Sequence, residues 1–262
     1  MILIKIGLIG TGVIAEYLLK EINEKSNYPI KIVAGVVRNK DKYKHLEDKY
    51  NIQITEDINR LLEKDIDLIV EAATVSTVKR YLPKVIKHKD CLVISVGAFS
   101  DEKFLKNIYT LALENNHSIH LPSGAIGGLD LIQNAEVTSG LKTVKLTTRK
   151  PAHTFNEGSI TKDKVIYQGS AAQAIEKYPK NINVAIILSL AGLGVTKTEV
   201  EIIASPFIKE NEHTIEVNGE FGEMKTTIKN KPMPENTNTS YLAALSVLGA
   251  ILRQTNKIKI GI

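Results

Sequence analysis

The sequence is poor in cysteine and aromatic residues and has no long apolar run, and each shortage excludes a class of protein. Cys91 is the only cysteine among 262 residues, so no disulfide forms within the chain. Aromatic residues make up 5% and do not interleave with an arginine-rich tract, so we do not expect a nucleic-acid partner. No apolar stretch approaches the roughly 18 residues of a membrane span, and no cleavable leader is recognisable, so we expect a cytoplasmic protein without a membrane partner.

The remaining composition is that of an ordinary globular protein. Hydrophobic residues make up 43% and charged residues 24%, the net charge is +5, and the isoelectric point is near 9.0. A chain of this length is expected to form two domains, with one large domain as the alternative. The basic balance suits an anionic small molecule as substrate.

A glycine-rich turn follows the first apolar run. Residues 1–6 are apolar apart from one lysine, and Gly10, Gly12 and Ala15 come directly after this strand-like segment. Gly10 permits a tight turn, Gly12 lets backbone approach a pyrophosphate, and Ala15 allows close packing of helix and strand, although a plain strand-to-helix turn favours glycine too. The expected cofactor contacts are Gly10, Thr11, Gly12, Val13 and Ile14.

The choice of cofactor is expected at the end of the second strand, residues 30–37. An acidic residue there binds the ribose of NAD, but this chain has Arg38 followed by Asn39 and Lys40. A guanidinium meets a 2′-phosphate in a bidentate fork, so the cofactor is NAD or NADP with NADP favoured. The alternative is a solvated basic loop.

The order of elements predicts an α/β protein with two domains. Strands and helices alternate through residue 122, which indicates a Rossmann-type, doubly wound parallel sheet over 1–122. From 123 to 237, long strand-like segments predict an α+β domain on a largely antiparallel sheet, with an Asn-Gly hairpin turn at 217–220. A helix over 238–254 is expected to return to the first domain. The segments in question are strands at 66–73, 91–96, 141–149, 195–204 and 213–229, and helices at 15–22, 55–64, 77–87, 104–115, 171–177 and 184–193.

Several separated segments together carry a family pattern. They are Gly-Thr-Gly at 10–12, Glu-Ala-Ala at 71–73, Ser-Val-Gly-Ala at 95–98, Pro-Ser-Gly-Ala-Ile-Gly-Gly-Leu-Asp at 122–130, Thr-Arg-Lys-Pro at 148–151, Asn-Ile-Asn-Val-Ala at 181–185, the strand beginning at His213, and Asn-Thr-Ser-Tyr-Leu-Ala at 238–243. In this set and order, the chain resembles the L-aspartate dehydrogenase family over nearly its full length. The resemblance implies a Rossmann domain before a catalytic domain, NAD- or NADP-dependent dehydrogenation of L-aspartate, and a homodimer.

The resemblance also implies roles for single residues. It makes His213 the catalytic histidine and has Ala125 and Asn183 contact the dinucleotide, and the loops at Ala73, Thr74 and Ala98 are expected to join that cofactor site. A histidine suits the proton steps of amino-acid oxidation. Without the resemblance, the pattern favours a histidine at the margin of a core over a catalytic one, on the strand face of Ile215 and Val217.

A dicarboxylate substrate requires cations and hydroxyl donors. Arg149 and Lys150 stand at a strand end and are the candidate cations, although such residues are often simply solvated. Ser123, Thr239 and Ser240 are the candidate hydroxyl donors. We expect no metal site, because His117 and His120 have suitable spacing but no evident cysteine or carboxylate partner.

The predicted protein is an NAD(P)-dependent oxidoreductase that converts L-aspartate to iminoaspartate, or to oxaloacetate and ammonia, with NAD biosynthesis as one destination. Homoserine dehydrogenases and dihydrodipicolinate reductases pair similar domains and are the alternative enzymes. A sensor that binds NADP without turnover is the alternative outside enzymology.

Overall fold

The computed structural model describes residues 3–25, 28–155, 157, 159–178, 183–234, 236–258 and 260, with only the backbone of 237 and 238. Residues 1–2 of the predicted first strand and residues 181–182 of the family segment lie outside the described residues. The contacts divide the chain into unit 1, Met1–Pro122 with Val247–Lys259, and unit 2, Ser123–Ser246 with Ile260–Ile262. None of the described helices is long and apolar enough to cross a membrane.

Unit 1 is built on a parallel sheet of six strands in the order β3-β2-β1-β4-β5-β6. This order is that of a Rossmann fold, so the predicted doubly wound parallel sheet is confirmed. The strands are β1 (Ile4–Ile9), β2 (Ile30–Val36), β3 (Gln53–Thr55), β4 (Leu68–Glu71), β5 (Asp90–Val93) and β6 (Ile119–His120). The helices are α1 (Val13–Leu19, continued by a π-helical turn over Lys20–Glu24), α2 (Lys40–Tyr43), α3 (His45–Tyr50), α4 (Ile58–Leu62), α5 (Val75–Val85) and α6 (Glu102–Asn115).

The core of unit 1 is an aliphatic layer on the central strands. Ile6 and Leu8 of β1 are fully buried, because a parallel strand covered on both faces is apolar at nearly every position. The end of the chain adds to the same cluster through Val247 and Ile251. The C-terminal helix therefore contributes apolar surface to the first unit.

Unit 2 is built on a five-stranded sheet in the order β11-β10-β7-β9-β8. Its pairings are antiparallel except for β7 with β9, so the predicted largely antiparallel sheet is confirmed. The strands are β7 (Leu141–Pro151), β8 (Lys164–Ser170), β9 (Glu199–Ser205), β10 (Asn211–Gly219) and β11 (Gly222–Asn230), with a small ribbon of β12 (Pro232–Met233) and β13 (Asn236–Ser240). The helices are α7 (Leu129–Glu136), α8 (Ala171–Lys177), α9 (Asn183–Ala191), α10 (Gly194–Lys197) and α11 (Tyr241–Thr255), the last of which ends in unit 1.

Two local predictions are corrected by glycine geometry. The hairpin turns at Glu220 and Phe221, two residues beyond the predicted Asn-Gly centre, because Gly222 supplies the positive φ of +117°. The strand expected over 195–204 begins only at residue 199. Gly194, with φ +78°, opens a helical turn there, and Thr198 closes it by donating its N–H and hydroxyl to the Gly194 carbonyl.

Gly10 is the residue whose replacement tests the turn after β1. Its φ is +99°, and a Cβ there would lie 2.7 Å from the Ala72 oxygen and from the Ala73 Cβ. We expect Gly10→Ala to lower the free energy of unfolding by about 1–3 kcal/mol, measured by denaturant titration. Gly12→Ala is the matched control, since its φ is −75° and its Cβ meets Ala72 only at 3.6 Å. Equal losses in the two variants would contradict this account.

Candidate active site

The turn after β1 fits a dinucleotide phosphate. Gly10 donates its N–H to the Val36 carbonyl at 3.0 Å, which joins the turn to the end of β2. Gly12 is exposed and forms the N-cap of α1 without a side-chain hydrogen bond. The N–H groups in the first turn of α1 therefore follow a residue without a side chain, and a pyrophosphate requires this arrangement to approach them closely.

Tyr43 is a residue of this region that the sequence analysis missed. Its hydroxyl hydrogen-bonds Thr11 of the glycine turn, and this bond, with the positive charges of Lys42 and Arg38, lowers the Tyr43 pKa. Arg38 is exposed directly after β2, whereas Asn39 caps α2 by accepting from the Lys42 N–H at 3.0 Å. The only sequence signal for Tyr43 was an aromatic residue just beyond the basic run.

Glu71 is a buried carboxylate that joins the ends of two neighbouring strands. It is 2% exposed at the end of β4. Its Oε1 accepts from the Ala73 N–H at 2.8 Å and from the Ser95 hydroxyl at 3.0 Å, and its Oε2 accepts from the Ser95 N–H at 3.0 Å. Burial raises the pKa of Glu71, which these donors oppose. Glu71 thereby holds the loops after β4 and β5 in place.

The predicted cofactor residues of unit 1 lie at one edge of its sheet. They follow the carboxyl ends of β1, β2, β4 and β5, which are consecutive neighbours in the sheet. In open α/β sheets, ligands bind outside this edge. Ala73 is exposed there, and Thr74 caps α5 by accepting from the Thr77 N–H. Ala98 is fully buried in the turn after β5, so neither its backbone nor its side chain is exposed to a ligand in this structure.

The sheet of unit 2 has one apolar face that becomes polar at one end. Along β10, His213, Ile215 and Val217 alternate with exposed or half-buried residues and face the core. The register places His213 opposite Thr148 of β7, and Ile215 opposite Leu146. On β7 and β10, the polar side chains of this face are therefore confined to one end.

His213 is almost completely withdrawn from water. It is 5% exposed, and its Nδ1 lies 3.0 Å from Oγ1 of Thr148. Burial, and secondly the positive charge of Lys150, lower the pKa of His213 to about 4, so the imidazole is neutral at pH 7. Thr148 belongs to the Thr-Arg-Lys-Pro segment but was not singled out, because a threonine in a strand carries no functional signal by itself.

Strand alternation separates the two predicted cations. Lys150 follows Thr148 by two positions and shares the face of His213, where burial lowers its pKa to about 8. Arg149 projects from the opposite face, and its guanidinium pairs with Asp163. The structure thus brings Lys150 together with His213 and does not bring Arg149 there.

The remaining predicted residues of unit 2 lie in three other segments. Ala125 is buried in the loop over residues 123–128, in which Ser123 is half-buried. Asn183 is exposed as the first residue of α9. Thr239 and Ser240 are half-buried at the end of β13, and the Ser240 hydroxyl donates to Asn230 at 2.6 Å. Within the described part of the chain, no three His, Cys, Asp or Glu side chains form a group suited to a metal ion.

The fold and these side chains define a nicotinamide-dependent dehydrogenase with a Rossmann unit and a second unit that carries a buried histidine. Two family models match, one described as "Homoserine dehydrogenase, NAD binding domain" over residues 10–122 and one as "Aspartate dehydrogenase, C-terminal" over residues 130–254. The chain is 36% identical to an L-aspartate dehydrogenase of Methanococcoides burtonii and 35% identical to one of Methanosarcina barkeri, with 99% of this chain and 100% of each relative covered. The chain belongs to the L-aspartate dehydrogenase family.

A solved structure agrees with this assignment. The crystal structure of aspartate dehydrogenase from Thermotoga maritima superposes with a TM-score of 0.80 at 25% identity, and the match covers 98% of this chain and 99% of that one. The similarity therefore extends over both units rather than over the Rossmann sheet alone.

Proposed function

We propose that the protein oxidises L-aspartate to iminoaspartate with a nicotinamide cofactor, and that water then converts the imine to oxaloacetate and ammonia. The observation that carries this proposal is the placement of the buried His213 and the half-buried Lys150 on one sheet face. The relatives named above, with 35–36% identity over their full length, support the choice of aspartate as the substrate. When bound, the cofactor accepts the hydride that leaves Cα of the substrate.

His213 serves the proton steps in this proposal. The oxidation requires the substrate ammonium to lose a proton, and the later hydrolysis requires deprotonation of the water that adds to the imine carbon. A neutral imidazole accepts a proton in either step. Thr148 occupies the Nδ1 side of the ring, so Nε2 is the nitrogen that we assign to the substrate.

Lys150 is the cation that we assign to a substrate carboxylate. It lies on the His213 face, and its positive form attracts an anion strongly where water is excluded. Arg149 is a poorer choice, because it projects from the other face of the sheet, where its guanidinium pairs with Asp163. Cytoplasmic location, homodimer formation and a place in NAD biosynthesis stay predictions.

NADP is the cofactor that we propose over NAD. Arg38 is exposed just after β2, where a 2′-phosphate is expected, and its positive charge reaches the Tyr43 hydroxyl next to the glycine turn. No acidic residue stands between the end of β2 and α2 to bind the 2′-hydroxyl of NAD instead.

The reaction is tested by reductive amination of oxaloacetate with ammonia, followed at the nicotinamide absorbance with NADH and NADPH in parallel. We expect turnover by the wild type and a loss of about 10²-fold or more in kcat for His213→Ala, with little change in dinucleotide affinity, because only the proton steps lose their base. His88→Ala is the control, since His88 is exposed in unit 1. If the wild type binds the cofactor without turnover, the alternative of a sensor that binds NADP is favoured.

The pH profile tests the role of Lys150. Its pKa is lowered to about 8, so the cation is present below that pH and is lost above it. We expect kcat/KM for L-aspartate to fall as the pH rises through about 8, and Lys150→Arg to remove that fall, since arginine stays charged. The acidic limb of the kcat/KM profile should lie near pH 4 rather than 6.5, because burial lowers the pKa of His213 to about 4. An alkaline limb that Lys150→Arg leaves in place would reject this assignment.

The cofactor choice is tested with Arg38→Asp. Loss of a charged hydrogen bond to the 2′-phosphate should weaken NADP binding by about 1.5–3 kcal/mol and leave NAD binding nearly unchanged, as measured by fluorescence titration. Lys87→Asp makes the same change in charge at an exposed site of unit 1 and should spare both affinities. An unaltered NADP/NAD ratio in Arg38→Asp would show that Arg38 does not bind this phosphate.

A further inference from the structure

Asn230 is a buried amide whose polar atoms are all engaged. It is the last residue of β11 and is 4% exposed. Its Nδ2 donates to the Ala125 carbonyl at 3.1 Å and approaches the Ile228 carbonyl at 3.5 Å, while its Oδ1 accepts from the Ser240 hydroxyl at 2.6 Å. One side chain therefore connects the end of β11, the loop over residues 123–128 and the end of β13.

Asn230 lies on the same sheet face as His213. The register pairs His213 with Ile228, and Asn230 follows Ile228 by two positions, so both side chains project to the buried side. The loop over residues 123–128, to which Asn230 is hydrogen-bonded, is thus attached next to the polar end of the sheet. His213, Thr148 and Lys150 lie at that end.

The loop over residues 123–128 contains two glycines with positive φ. Gly124 and Gly128 adopt φ of +66° and +77°, and a Cβ added at Gly124 would touch nothing within 4 Å. Gly124 donates its N–H to the Ser246 hydroxyl at 3.1 Å, and Ser246 in turn donates to the Ala243 carbonyl at 2.7 Å. Since glycine backbones are intrinsically permissive, these side-chain hydrogen bonds select one conformation of the loop.

We propose that Asn230 is a positioning residue for the reaction, and that Ser240 supports it. Asn230 fixes the Ala125 carbonyl, and through it the loop expected to contact the dinucleotide, in register with the strand end that carries His213. This inference rests on the proposed function for the role of Ala125. It also reassigns Ser240 from a substrate donor to the group that orients the Asn230 amide.

The test compares Asn230→Asp, Ser240→Ala and Ser240→Thr with the wild type. Asn230→Asp is nearly isosteric but replaces the donating Nδ2 by an oxygen facing the Ala125 carbonyl. Ser240→Ala removes the hydroxyl, and Ser240→Thr restores it. Asn218→Asp, at an exposed position of β10, is the control for the same chemical change.

The first readout is hydrogen exchange of the amides of residues 124–127 without ligand. We expect about tenfold faster exchange in Asn230→Asp and Ser240→Ala, and wild-type exchange in Ser240→Thr and Asn218→Asp. A tenfold change corresponds to about 1.4 kcal/mol, the range of a single hydrogen bond. Unchanged exchange in both Asn230→Asp and Ser240→Ala would overturn the proposal. If Asn230→Asp fails to fold, the exchange rates of Ser240→Ala alone decide whether the proposal holds.

The second readout separates positioning from a merely structural role. We expect NAD(P)H to slow the exchange of residues 124–127 in the wild type, and the two loosened variants to lose affinity for it. We also expect their kcat to fall about tenfold with a larger isotope effect for Cα-deuterated aspartate, while the aspartate KM stays within about threefold. Faster exchange of residues 124–127 with unchanged cofactor affinity and unchanged kcat would show that Asn230 has no positioning role. If Ser240→Ala raises the aspartate KM and changes nothing else, Ser240 binds the substrate instead.

These readouts also separate this inference from the proposed function. If the wild type does not turn over L-aspartate, the proposed reaction fails, whereas exchange of residues 124–127 and its response to NAD(P)H still decide whether Asn230 positions the loop. If the wild type turns over and the variants match it in every readout, the reaction stands and the positioning role fails.

Discussion

The pairing of β10 with β7 is the constraint on which the candidate site of unit 2 depends. It places His213 directly opposite Thr148, next to the aliphatic residues of the same two strands, and the ring is buried with its Nδ1 against the Thr148 hydroxyl. A shift of one residue in this register would carry His213 and its neighbours to the other face. The aliphatic residues of the same strands, such as Ile215 and Leu146, prevent that shift because their burial depends on the same register.

Burial in this sheet lowers the proton affinity of both of its titratable groups near the site. His213 is neutral because an imidazolium would be desolvated beside Lys150, and Lys150 itself holds its proton less firmly for the same reason. The two groups therefore suit complementary tasks, the acceptance of a proton and the attraction of an anion. In unit 1, burial acts in the opposite direction on Glu71, whose carboxylate is satisfied by the N–H groups of two loops and by a serine hydroxyl.

Much of the fold and part of the site could be predicted from the sequence, and the reason lies in periodicity. Strand β1, the turn at Gly10 and the helix α1 follow from a local pattern, as do the buried positions of β10. The hairpin turn and the start of β9 were misplaced, because Gly222 and Gly194 outweighed an Asn-Gly pair and a β-branched run. Thr148, Glu71, Tyr43 and Asn230 escaped notice, since each gains its role from a partner distant in sequence.

By itself, the sequence determined the order of strands and helices, the glycine turn after β1 and the set of family segments that include His213. These are properties of neighbouring residues or of short motifs. Only the tertiary structure decided which of two adjacent cations shares the His213 face, because a strand sends Arg149 and Lys150 to opposite sides and the sheet register puts Lys150 on the side of His213. It likewise decided that the Ser240 hydroxyl donates a hydrogen bond to Asn230, since hydrogen bonds between distant segments form only when the chain has folded.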